Sequence, residues 1–419
     1  MQARVIVAAP HRALFLVGTS ALALGMTWWL IILSGLYFST PAPTGGLVPQ
    51  SLLHAPLLLF LALPPLFFGF LLTVFPRWMG FPDLERPAYA PVAALYATGL
   101  IFAAVALVTG SDFWLKPAFC SGMLANLWAY GWLIRLAIVE RHEGRGPTWH
   151  SWSVLGALTM GLVAQGLMLS FLHNPANGLV MLANQLGLWG FIIPIFFTVC
   201  HRMLPFFAGN VVANYVRWRP MWLLAAFWVG TAILLLGMVY AQFASNMPAD
   251  HSTAHGTAHV HFDNVAHMLG AGLLTALTAL MTYKWWPRGR APALLWVLIL
   301  GFTWAPVGYG LALLTAWGVP LGRASEHALT IGFASSLIIA MVTRVTQGHS
   351  GRPLVLPLVG TIGFIGMQAA ALARVGAAIH AENGPWLVVS AGIFLISLLP
   401  WVLRNGAIYL APRADGRPG

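Results

Sequence analysis

The sequence predicts an all-α, polytopic membrane protein of about twelve transmembrane helices, organised as one domain over residues 1–419, and three observations carry that expectation. The first is composition. Of 419 residues, 59% are hydrophobic and only 7% charged, with a mean hydropathy of +0.79, where an average soluble domain has roughly one-quarter charged residues. The second is run length: a hydrocarbon core about 30 Å thick needs about twenty apolar residues at 1.5 Å rise each, and runs of that length recur from end to end. Strands are a poor alternative because period-two alternation is absent. The third observation is where the charges fall.

Taken in order, the apolar runs place helices at 13–38, 51–76, 90–109, 116–139, 152–172, 178–200, 220–243, 263–283, 293–317, 324–344, 354–378 and 385–404. The first follows MQARVIVAAPHR and is too long for a cleaved signal peptide, so it stays as a helix. Glycine and proline inside the runs, as in FLALPPLFFGF and GTIGFIGMQ, read as close packing and kinks. If the chain starts inside, 18 of the 21 basic residues lie on or near the cytoplasmic face, and only Lys116, Arg323 and Arg374 fall toward the other side. One missed helix would scramble that alternation, so the split supports both the count and cytoplasmic termini. The lipid bilayer is thus the first partner. The net charge of +11 is spread over short loops, without the patch or stripe that nucleic acid requires. Cys120 and Cys200 fall near opposite ends of their helices, too far apart for a disulfide. The longest connection is the histidine-rich stretch 244–262.

A weak internal repeat runs through the chain. Helices two, six and ten end in TVFPR, TVCHR and AMVTR, at Arg77, Arg202 and Arg344, about four helices apart. A threefold repeat of four-helix units and chance similarity among arginine-tipped ends both fit this pattern. Helices two and ten also begin alike, with His54-Ala55 and His327-Ala328.

Fourteen histidines in so apolar a chain are the most informative excess. Ionisable groups inside a membrane are costly unless paired or ligated, so His54, His267 and His327, each about a turn into its helix near the outer face, are the candidate functional residues. Neutral imidazole is a good axial ligand for haem iron, and helices of a bundle can offer two imidazoles to one porphyrin, which makes His54 and His327 the expected haem ligands. Glu326 is a candidate proton carrier or a plain helix-start carboxylate. In the loop HSTAHGTAHVHFDNVAH, His255, His259 and His261 are candidate ligands for copper or zinc, with a flexible low-complexity segment as the competing reading. No GxSxG, Walker A, HExxH or CxxC motif supports hydrolytic or nucleotide-driven chemistry.

The stretch EHALTIGFASSLIIAMVTRVTQGHSGRPL, from Glu326 to Leu354, resembles the signature of the NnrS family, and GFLLTVFPRWMG from Gly69 and RMLPFFAGN from Arg202 agree with it. The resemblance implies a twelve-helix inner-membrane protein of nitric oxide metabolism containing haem b and copper. It also implies nitric oxide as ligand or substrate and a quinol or periplasmic electron donor. Among the matching residues, Arg344 and His349 suit a phosphate, propionate or partner contact at the inner end, or simply a structured helix end. Two departures are visible: His54-Ala55-Pro56-Leu57 stands where the family's second helix usually begins His-x-His-Glu, and Ile299 stands where relatives are expected to carry histidine. The arrangement also parallels haem–copper oxidases, whose twelve helices are pseudo-threefold with haem ligands on helices two and ten. Whether the chain reduces nitric oxide as an enzyme is left open. So is a transporter or chaperone for metal, haem or a small solute with the histidine-rich loop as collector, and a sensor or assembly subunit with structural haem.

Overall fold

The computed structural model describes residues 5–416 apart from 44–45, 47, 145–147, 245–252 and 381–382, and leaves the side chains of 177, 244 and 253–262 undescribed. The described residues contain twelve helices long and apolar enough to cross a membrane. They are α1 (Pro10–Phe38), α2 (Gln50–Trp78), α3 (Arg86–Thr109), α4 (Asp112–Glu143), α5 (Trp149–His173), α6 (Gly178–Val211), α7 (Trp222–Phe243), α8 (Asp263–Trp285), α9 (Ala293–Ala316), α10 (Ala324–His349), α11 (Leu358–Ile379) and α12 (Gly384–Leu410). The chain is a multi-pass membrane protein.

Packing follows the repeat. Within each four-helix unit the third and fourth helices pair, as α3 with α4, α7 with α8 and α11 with α12, and the first helix packs on the second. The fourth helix of each unit then meets the first helix of the next, α4 on α5, α8 on α9 and α12 on α1, which links the three units into a ring. Inside it stand α2, α6 and α10. Their most apolar stretches are 89, 61 and 83% buried, against at most 50% for every other span. The threefold reading of the arginine-tipped helix ends is therefore the architecture itself.

Each core helix also widens into a π-helical segment at the same level: Leu58–Ala62 in α2, Leu186–Ile192 in α6 and Ala328–Ser335 in α10. The causes are local. Pro64 and Pro65 follow the first segment and Pro194 the second, and a proline has no N–H for the regular i−4 bond. In α10 there is no proline; instead the Ser335 hydroxyl donates to the Thr330 carbonyl five residues back (2.9 Å) and secures the wide turn. Close approach requires glycine here, since a Cβ on Gly187 would lie 2.8 Å from the Phe60 ring and one on Gly332 would enter the Trp304 indole.

The three repeat arginines interlock the core ends. Arg202 of α6 lies over the Trp78 ring (4.9 Å) and donates to the Trp78 carbonyl (3.4 Å) at the end of α2. Arg344 of α10 lies over Phe207 of α6 (3.9 Å), and Arg77 of α2 is in electrostatic reach of His349 at the end of α10. Cation–ring contacts of this kind are strongest where water is scarce. Arg77 also hydrogen-bonds Asp83 (2.7 and 2.8 Å), which holds that loop carboxyl below the usual carboxylate range. The pair is open to solvent, so its contribution is small; it is present above the ordinary carboxylate pKa and fades as pH falls through the lowered one.

The same face gathers the chain ends. Buried Arg12 of α1 donates to the carbonyls of Tyr409 (3.2 Å) and Ala411 (2.8 Å) at the end of α12, and Arg413 donates to the His349 carbonyl (3.1 Å). Both ends of the described chain thus lie on the arginine-rich face, as the charge alternation requires.

Two boundaries differ from expectation. Helix α6 runs to Val211, well past the expected end near residue 200, because Arg202 and the aromatic residues after it stay in the bundle instead of leaving it. The stretch 244–262, expected to be a loop, is helical in backbone from Thr253 onward, continuous with α8. Extending an existing helix costs far less than nucleating one, so weak helix formers are carried along.

Replacing Arg12 by alanine removes two charge-assisted hydrogen bonds between α1 and α12 and should cost about 3 kcal/mol, with Arg12→Lys costing less. Thermal unfolding of the purified protein measures this; equal midpoints for all three proteins would contradict the role given to Arg12.

Candidate functional site

The face opposite the arginines holds the site. His54 is the fifth residue of α2 and His327 the fourth of α10, each just before its helix widens. His54 lies within electrostatic reach of His327, and Arg374 of α11 and Arg323, just ahead of α10, act on both. The core thus brings together two residues 273 positions apart in sequence. Both are half-buried near the starts of their helices.

Each ring is held in a definite way. His327 Nδ1 lies 2.8 Å from the Arg323 carbonyl, and since a carbonyl only accepts, Nδ1 carries the proton and Nε2 keeps its lone pair. A carbonyl accepting from Nδ1 is the arrangement that orients imidazole ligands of metals. His54 is stacked on the Trp29 indole of α1, with ring centroids 4.2 Å apart and planes 18° apart, and no hydrogen bond engages its nitrogens among the described residues.

The third core helix contributes residues that the sequence reading did not single out. Asn184 and Gln185 of α6 immediately precede its π segment, so Gln185 holds the place that His327 holds in α10. Counted from the repeat arginines, Gln185 and His327 each stand 17 residues earlier. The Asn184 Oδ1 and Gln185 Oε1 atoms are buried without a hydrogen-bond partner, and the start of α6 packs against the start of α2 that carries His54. Unpartnered buried amides call for an explanation, and a bound polar group is one. Only the alignment of the three core helices could have revealed them.

The other candidates are scattered. His267 is half-buried on ring helix α8, and its polar contacts stay within that helix, where Nδ1 lies 3.1 Å from the Asp263 carbonyl. Glu326 is half-buried beside His327 and already carries a contact of its own. Arg344 and His349 lie at the opposite, arginine-rich end; from His327 to Arg344 is 17 residues of helix, about 25 Å. The side chains of His255, His259 and His261 lie outside the described residues. Among the described residues no group of three or more His, Cys, Asp or Glu side chains could hold a metal ion. Cys120 is exposed and Cys200 buried, both as free thiols.

Two further histidine pairs occupy the arginine-rich end. His150 Nε2 lies 2.9 Å from His201 Nδ1, and His201 Nε2 lies 3.2 Å from the Pro220 carbonyl. The carbonyl fixes the proton on His201 Nε2, so His201 Nδ1 accepts from His150 Nε2–H. His11 meets His349 with centroids 4.7 Å apart. In each pair one member opens a first helix of a repeat unit, a position that helix numbering alone shows.

The model of the family described as NnrS protein matches residues 5–413 of the chain. No curated protein matches it.

Because His150 and His201 are fully buried, His201→Ala should cost about 1–3 kcal/mol by leaving the His150 N–H unpaired, whereas changing both residues to phenylalanine should cost little. Thermal midpoints decide it; equal losses for the single and the double variant would mean that the pair is not a closed hydrogen-bonded unit.

Proposed function

The chain belongs to the NnrS family, and from that premise we propose that it is a haem-binding redox protein of the bacterial inner membrane, with cytoplasmic termini, that binds nitric oxide between α2 and α10. The observation that carries this reading is the convergence of His54 and His327 from two core helices, with His327 Nε2 left free by the bond from Nδ1 to the Arg323 carbonyl.

The residues present fit a haem. Two imidazoles on facing helices are a suitable donor set for its iron, and the guanidinium groups of Arg374 and Arg323 suit its two carboxylates. Haem bound there would supply an iron centre that takes nitric oxide and exchanges single electrons.

The chain's own residues do the rest. The Arg323 carbonyl fixes the tautomer and direction of His327, and the Trp29 indole fixes the plane of His54. Asn184 and Gln185 close the third side with amides able to hydrogen-bond a polar ligand. Glu326 stands next to His327, at the mouth of the site, where a carboxyl could pass protons between the outer face and the core. Electrons would come from a quinol or a periplasmic carrier. At the other end, Arg344 and His349 keep the core helices in register. For copper, the residues proposed are His255, His259 and His261, ahead of α8.

Reduced-minus-oxidised spectra of the purified wild type, His54→Ala and His327→Ala, with metal analysis in parallel, test the proposal. Both substitutions should lose or alter the haem bands. Wild type expressed with ample haem yet lacking any haem absorbance would sink the reading, and wild-type spectra in both variants would remove these two ligands. Deleting residues 251–261 should lower bound copper and leave haem in place; unchanged copper would refute the assignment to that segment.

A further inference from the structure

The core contains a cavity distinct from the histidine site. This partly open cavity of about 40 Å³ lies between α2, α6 and α10, lined by Phe67, Phe70, Phe196, Cys200, Leu337 and Met341 among others, with Phe15 of α1 at its side. The only heteroatoms among its lining side chains are sulfurs. It starts within about a turn of the end of the π segment on each of the three helices, at Leu66 after Ala62, Ile195 after Ile192 and Leu337 after Ser335. A π turn inserts an extra residue and shifts the side-chain register, which leaves the three helices unable to close on one another just below it.

Size and chemistry select the occupant. One water takes up about 30 Å³ in the liquid and needs two to four polar partners in a buried site, which sulfurs and hydrocarbon do not offer. An apolar cavity of this kind stays dry and takes apolar guests. About 40 Å³ suits a diatomic molecule or a noble-gas atom, and the all-apolar lining offers nothing to a sugar. Phe196 is half-buried although it belongs to a core helix, so its ring faces open space.

We propose that this cavity binds a single small, uncharged, apolar gas molecule on the axis of the bundle. Leu337 stands ten residues after His327 on the same helix, about 15 Å along it, so a guest here lies below the histidine site without touching it. Nitric oxide belongs to this ligand class, and the cavity would hold it beneath the site at which it reacts. The inference stands on the cavity alone and needs no haem.

Xenon is the probe. Crystals of the full-length protein equilibrated under xenon should show one xenon atom in contact with Phe67, Phe196 and Leu337. Leu337→Phe and, separately, Val199→Phe fill the space and should lose that atom while keeping the fold. No xenon in the wild type, ordered water or a lipid chain in the cavity, or xenon retained in a folded filled variant would each overturn the proposal. Where neither variant folds, the wild-type crystal decides. Loss of the xenon site beside normal haem spectra would remove this inference and leave the proposed function standing; the reverse result would do the opposite.

Discussion

Every polar backbone group that crosses hydrocarbon must be satisfied inside its own helix, and any polar side chain there must find a partner in protein. This constraint fits the placement of the three π-widened helices inside the other nine. The π segments of α2, α6 and α10 break the regular hydrogen-bond ladder, which is tolerable only where protein, and not lipid, covers the break. The ring supplies that cover. In turn, the breaks supply what a regular bundle lacks, namely side chains re-aimed toward the axis and a space that the helices cannot fill.

The same constraint sorts the histidines by what their nitrogens do. His150 and His201 satisfy each other and the Pro220 carbonyl, and His11 stacks with His349. His267 turns back on its own helix. His54 and His327 behave differently, since one is held by stacking alone and the other by a bond that leaves its second nitrogen free. A paired imidazole stabilises a helix contact, whereas an oriented imidazole with an open lone pair is prepared for a ligand. Asn184 and Gln185 of the third core helix carry buried amide oxygens without a hydrogen-bond partner among the described residues. At the opposite end the three repeat units interlock through Arg77, Arg202 and Arg344, so the register that aligns the site is fixed some 25 Å away from it.

Much of this was legible in the chain, because hydropathy and arginine placement report directly on a bilayer. The twelve helices and the shared face of the chain ends follow from single-residue properties read in order, whereas the three arginine-tipped ends left a repeat and chance similarity equally open until the helix contacts were known. The resemblance of Glu326–Leu354 to a known signature was equally visible. What could not be read is what depends on partners distant in sequence. His150 and His201 looked like inner-face histidines until the fold set them 2.9 Å apart, and Gln185 looked like an ordinary helix residue until α6 was aligned with α10. His267 shares the outer level with His54 and His327 but belongs to the ring, a distinction that depth alone cannot make. The backbone of Thr253–Phe262 was misjudged because poor helix formers were weighed in isolation from the long helix they extend.

The central claim is that α2 and α10 together present His54 and His327 as two ligands to one iron. Electron paramagnetic resonance of the oxidised, purified wild-type protein tests it most directly, since the spectrum reports the axial ligands themselves. The account predicts a low-spin ferric signal of the bis-imidazole type; a haem signal that is entirely high-spin, or that shows a sulfur ligand, would contradict it.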